Sequence, residues 1–96
     1  MNHAVQPIGD LVTAFLRSSG LEQPLLEQRL IRLWPQVVGQ MAAEMTTRLE
    51  IRQGVLYAYM HSAALKNQLF QCRFQLVKKL NETVGSNVIH DIRLLG

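Results

Sequence analysis

Residues 48–59 read RLEIRQGVLYAY, and how they fold decides the rest of the chain. Leu49 and Ile51 alternate with Arg48, Glu50 and Arg52; beyond Gln53-Gly54, Val55, Tyr57 and Tyr59 alternate with Leu56 and Ala58. A period of two on either side of a two-residue turn containing Gly predicts a β-hairpin, because successive strand side chains point to opposite faces. With Gln53-Gly54 as the turn, Arg52 lies opposite Val55, Glu50 opposite Tyr57 and Arg48 opposite Tyr59. Those six side chains share one face. Leu49, Ile51, Leu56, Ala58 and Met60 share the other, which must be core.

Downstream of the hairpin, a long helix is predicted from about Ser62 to Val84, with Ser62 as N-cap and Gly85 as its stop. Its apolar residues are Leu65, Leu69, Cys72, Leu76 and Leu80, with Phe70, Phe74 and Val77 widening the stripe. The final run, VIHDIRLL, reads as a third strand; with Ile92 and Leu94 facing the core, Asp91 and Arg93 point outward.

Upstream, Ile8, Leu11, Val12, Phe15 and Leu16 form one helical stripe, and Ser18-Ser19-Gly20 stops it. A second periodic stretch places Leu26, Leu30, Leu33, Trp34, Val37, Val38, Met41 and Met45 on one face. Pro35 lies inside it and lacks an N–H, so a kink or short break is expected there. Gly39 is expected to mark a close approach of another backbone. The order is helix, helix, strand, strand, helix, strand. That predicts an α+β layer fold, a three-stranded sheet covered on one face by helices. Residues 1–96 are expected to form one domain, without repeats or linkers.

Composition bounds the function. The chain is 48% hydrophobic and 18% charged, ordinary for a folded globule, and its net charge of +3 permits an anionic partner without requiring one. Cys72 is the single cysteine, so no intrachain disulfide forms. The N-terminus has no basic flank before its apolar residues, and no apolar run reaches the length of a membrane span. The cytoplasm is the default expectation, with no membrane partner.

Catalysis is not expected. His3, His61 and His90 are scattered, and no nucleophile, base and orienting group fall together. No C-x-x-C or H-x-x-x-H spacing suggests a metal site, and no glycine-rich run follows a strand to cradle a phosphate. No cofactor is implied. Cys72 reads as a buried, inert thiol.

Two surfaces offer binding. The hairpin's outer face carries Arg48, Arg52, Tyr57 and Tyr59, with Arg93 beside them and Glu50 and Asp91 moderating the charge. Cations beside aromatic rings suit single-stranded nucleic acid, whose phosphates need counter-charge and whose bases stack. The alternative is an ordinary solvated sheet face stabilised by cross-strand pairs. The predicted long helix carries Lys66, Phe70, Arg73 and Phe74, a candidate partner-binding surface. The competing explanation, which the small size of the chain favours, is that the N-terminal helices pack against Phe70 and Phe74. Lys78 and Lys79 read as solubilising, and Trp34 as core.

The residues also resemble a family. Leu33-Trp34-Pro35-Gln36-Val37-Val38-Gly39 looks like the W-x-x-I/V-V-G signature of the DciA-like family, long catalogued as a domain of unknown function. The likeness continues through Gly54-Val55-Leu56 and the Ser62-Ala63-Ala64-Leu65…Leu69 helix start. It ends with Leu80-Asn81…Val84-Gly85…Val88…Ile92-Arg93, so it covers essentially the whole chain.

The resemblance implies a KH-like domain and a non-enzymatic role in bacterial DNA replication, helping to load or operate the replicative DnaB-type helicase while binding nucleic acid. The nucleic-acid-binding KH domain's G-x-x-G loop has no counterpart, since Gly85-Ser86-Asn87-Val88 does not qualify, so that backbone clamp is not carried over. Many members carry an additional extended segment, whereas this sequence runs to Gly96. A domain-only member would keep DNA binding and lose helicase work, or serve another partner. The expected partner is DNA, single-stranded first, or RNA, with a DnaB-type helicase as a further candidate. The contrasting expectation is a protein-interaction module that self-associates as a homo-oligomer.

Overall fold

The computed structural model describes Leu11, Ala14 and residues 20–96. The predicted N-terminal helix and His3 otherwise lie outside the described residues; Leu11 and Ala14 are helical, and Leu11, expected to face the core, is exposed. From there the elements run α1 (Glu22–Val38), α2 (Gln40–Glu44), β1 (Thr46–Arg52), β2 (Val55–Met60), α3 (Ala63–Gln71), α4 (Arg73–Val84) and β3 (Asp91–Leu95). The strands form one mixed sheet in the order β1-β2-β3, with β1 antiparallel and β3 parallel to the central strand. This is the predicted α+β order, with the second and third predicted helices each divided.

The hairpin register is the one the alternation dictates. Arg48 pairs with Tyr59, Glu50 with Tyr57 and Arg52 with Val55, while a bulge between Thr46 and Arg48 sets Thr47 out of the ladder. Gln53 (φ 51°) and Gly54 (φ 77°) both take positive φ, as a type I′ hairpin turn requires. Along β2 the burial alternates, with Leu56, Ala58 and Met60 buried and the residues between them half-buried. The core joins those three to Leu30, Trp34, Leu69, Leu76, Leu80, Val84 and Ile92, so the helices cover one face of the sheet. At about 25 cal/mol per Å², each such side chain contributes roughly 1.5–3 kcal/mol on burial.

Trp34 is only 1% exposed, as expected of a core residue. Its indole Nε1–H donates to Thr46 Oγ1 (3.1 Å), and that hydroxyl donates to the Ala42 carbonyl (2.8 Å). The chain tying α1 to the start of β1 therefore leaves no buried polar atom without a partner.

Three local expectations change. The break foreseen at Pro35 falls at Gly39: α1 runs through Pro35, whose carbonyl accepts the Gly39 N–H (2.9 Å). Gly39 is there for its backbone, φ 94° and ψ 162°, and not for a close neighbour, because a Cβ added to it would meet nothing within 4 Å. The turn re-aims α2, so Ala42 is buried while Met41 (70% exposed) and Met45 lie outside the predicted stripe.

The second change is in the long helix, which divides at Cys72 (φ −109°, ψ 24°). No Pro or Gly stands there. The cause is tertiary: α3 lies over β2 and β3, whereas α4 packs mainly along α1. One straight rod cannot follow both directions. Cys72 is accordingly half-buried at the elbow rather than fully buried.

Third, the last strand begins at Asp91, and Val88 and Ile89 are buried in the connection before it. Ser62 caps α3 as predicted, its Oγ accepting the Leu65 N–H (3.2 Å).

Candidate nucleic-acid interface

The sheet register turns the outer face into three rows. Arg52, Val55 and Asp91 form the first, Glu50, Tyr57 and Arg93 the second, and Arg48, Tyr59 and Leu95 the third. All five predicted nucleic-acid-binding residues, Arg48, Arg52, Tyr57, Tyr59 and Arg93, are thus brought onto one surface. The tyrosines occupy the central strand, and the arginines the two flanking it.

On this face charge and ring contacts are already made within the chain. Glu50 bridges Arg48 and Arg52, the latter at 3.2 Å, and Asp91 Oδ2 holds Arg93 Nε at 3.4 Å. The Arg52 guanidinium lies over the Tyr57 ring, 4.3 Å from its centroid, and that of Arg48 lies 5.5 Å from the centroid of Tyr59. Three arginines thus stand against two carboxylates. The arginine side chains are more than half exposed, so these pairs are weak, on the order of 0–1 kcal/mol each, and an incoming phosphate can exchange with them.

The face is held in register at its far end by contacts the sequence reading did not foresee. Asn81, buried on α4, donates from Nδ2 to the Ile89 carbonyl (2.8 Å). Its Oδ1 accepts the N–H groups of Val88 (3.0 Å) and Ile89 (3.1 Å). One side chain therefore satisfies three backbone groups of the buried segment that leads into β3. Next to it, the His90 N–H donates to the Gly54 carbonyl (2.7 Å), and the His90 ring nitrogen lies 3.2 Å from the Gln53 carbonyl. The hairpin tip is tied in this way to the start of β3, which brings Arg93 beside Tyr57. The available signal was a polar residue on the Leu76–Leu80–Val84 side of a helix, followed by a short apolar run with no strand partner.

The second predicted surface is also assembled, and here the favoured expectation is corrected. Phe70 (53% exposed) and Phe74 (71% exposed) are not covered by any described helix. Arg73 lies across both rings, 4.1 Å from the Phe70 centroid and 4.6 Å from that of Phe74, and its Nη1 donates to the Phe70 carbonyl (3.0 Å). Lys66 is half-buried one turn before Phe70.

His61 and His90 are exposed on separate loops. Among the described residues no cluster of His, Cys, Asp or Glu is suited to a metal ion, and no helix is long and apolar enough to cross a membrane.

The fold is a small α+β domain that carries two cation–aromatic surfaces. The chain belongs to the DciA family: the model described as "Dna[CI] antecedent, DciA" matches residues 7–94. It is similar to UPF0232 proteins of Mycobacterium ulcerans and Rhodococcus jostii, each 30% identical over 95% of this chain and covering 49% and 48% of those proteins. A UPF0232 protein of Mycobacterium tuberculosis is 28% identical over the same share. The chain thus spans about half the length of the curated relatives it matches.

Proposed function

We propose that this chain is a non-catalytic accessory protein of bacterial DNA replication, of DciA type, that binds single-stranded nucleic acid across the outer face of its sheet. A replicative DnaB-type helicase is the proposed protein partner. Family membership supports the setting. The observation that carries the binding reading is the row structure of the sheet: Tyr57 and Tyr59 side by side on β2, between Arg48 and Arg52 on β1 and Arg93 on β3. Arginines there neutralise phosphates, and the tyrosine rings stack bases once their guanidinium covers move aside.

The test is fluorescence anisotropy of labelled single-stranded DNA, duplex DNA and RNA across a salt series. Log affinity for single strands is expected to fall with log salt at about −0.7 for each phosphate neutralised. Tyr57→Ala with Tyr59→Ala is expected to weaken binding by about 1–3 kcal/mol per stacked base. A folded double variant with wild-type affinity would remove the stacking role. RNA binding tighter than DNA would replace the replication reading with an RNA one. The labelled strand recovered intact after incubation is the expected result for a non-catalytic protein.

A further inference from the structure

The three sheet arginines are paired within the chain against two carboxylates, so most of the excess positive charge lies elsewhere. Residues 62–81, SAALKNQLFQCRFQLVKKLN, contain Lys66, Arg73, Lys78 and Lys79 and no Asp or Glu. Those four cations exceed the net charge of the whole chain, +3. Among the described residues none of them is in an ion pair, whereas each arginine of the sheet is. The described cations outside the sheet lie on α1 (Arg29 and Arg32), α3 and α4; α1 also carries Glu22 and Glu27, so the run without an acid is the one on α3 and α4.

The cations of that run are also interleaved with aromatic rings. Lys66 and Phe70 are four residues apart on α3, and Phe74 and Lys78 four apart on α4, so each pair shares a helix face. Arg73, stacked on both phenylalanines, joins the two halves across the elbow. The outcome is one stripe, Lys66–Phe70–Arg73–Phe74–Lys78, bent at the elbow, each Lys–Phe pair spanning about 6 Å of its helix at 1.5 Å per residue. Exposed rings alternate along it with unpaired cations, and Glu82 is the first acid met beyond it.

We infer that this stripe is a second contact surface for single-stranded nucleic acid. The occupant follows from charge and chemistry together: a row of cations without a carboxylate fits a polyanion, and the exposed phenylalanines offer the stacking faces that bases take. Arg73 spends one Nη1 hydrogen on the Phe70 carbonyl and keeps its remaining donors for a phosphate. The stripe lies on the helical layer, with the sheet between it and the tyrosine rows. A strand that follows both must pass around an edge of the domain. The inference rests on the nucleic-acid reading above and assigns it a separate set of residues.

Four double variants separate the two. Phe70→Ala with Phe74→Ala, Lys66→Gln with Lys78→Gln, and Tyr57→Ala with Tyr59→Ala are each titrated with a short labelled oligothymidylate across salt, with circular dichroism confirming the fold. The phenylalanine variant is expected to bind between about fivefold and 150-fold more weakly per base unstacked. The lysine variant is expected to flatten the salt slope by about 0.7 for each phosphate it no longer neutralises. Phe70→Leu with Phe74→Leu keeps an apolar surface without rings and is expected to lose as much as the alanine pair. Wild-type affinity and slope in the stripe variants, with loss only in the tyrosine variant, would overturn the stripe and leave the sheet reading standing. Loss only in the stripe variants would uphold the stripe and remove the sheet. A wild-type chain that binds no strand at low salt overturns both, and concentration-dependent light scattering would then identify Phe70 and Phe74 as a self-association surface.

Discussion

Replacing Asn81 by Ala should destabilise the domain more than any other exchange of a polar side chain. The amide makes three hydrogen bonds to the backbone of Val88 and Ile89, at 2.8, 3.0 and 3.1 Å, and both residues are only 4% exposed. Each buried group left without a partner costs about 1–3 kcal/mol. Three such losses give an upper bound of about 9 kcal/mol, but Ser86 and Asn87 border solvent, and water admitted beside them will satisfy part of the deficit. About 2–4 kcal/mol is therefore expected. In a domain of this size each kcal/mol moves the melting temperature by about 4–8 °C. Urea unfolding followed by far-ultraviolet circular dichroism reads the loss as a lowered midpoint at unchanged slope. Asn81→Asp keeps the acceptor but aims a second carboxylate oxygen at the Ile89 carbonyl, so it too should destabilise at neutral pH. An alanine variant within about 0.5 kcal/mol of wild type would refute the clasp, because that is the range of an ordinary surface exchange.

Other sites give sharper local tests. Thr46→Val removes the acceptor of the buried Trp34 Nε1–H and should cost about 1–3 kcal/mol by the same denaturation assay, whereas Thr46→Ser should recover most of it. Gly54→Ala forces a Cβ into a position with φ 77° and only 2.6 Å from the His90 ring. It should destabilise by about 1–2 kcal/mol, and His90→Ala in the same chain should relieve the collision but not the backbone cost. Glu50→Gln frees both Arg48 and Arg52; stability should change by less than about 1 kcal/mol, while the salt slope for a single strand steepens by up to about 0.7 per arginine released. An unchanged slope there would mean that the strand does not cross the sheet.

The hairpin was legible because its signals are local. Side-chain alternation and a Gln-Gly turn fix which residues face each other, and the observed pairs are those. Ser62 as a cap and Trp34 as core follow from equally short-range chemistry. The features that escaped are set by contacts distant in sequence. Cys72 divides a helix that holds no Pro or Gly to stop it, because its two halves lie on different neighbours. Pro35 suggested the break that Gly39 makes, since a proline in a last turn forgoes one bond while positive φ ends the helix outright. Asn81 reads as an ordinary helical polar residue until the segment it clasps is seen folded beneath it.

The same difference in range explains why composition and structure rank the two surfaces differently. On a strand, residues two apart share a face, so placing Glu50 between Arg48 and Arg52 lets one carboxylate pair with both. On a helix, partners must be three or four apart; Lys66 and Arg73 have no acid at that spacing, and Glu82, four from Lys78, forms no ion pair with it. An arginine that already holds a carboxylate and a tyrosine ring must release both before it meets a phosphate, and its net gain is correspondingly small. Lys66, Arg73 and Lys78 have no carboxylate to release. If both surfaces take one strand, the helical stripe should therefore supply most of the salt dependence, and the tyrosine rows should contribute chiefly through stacking.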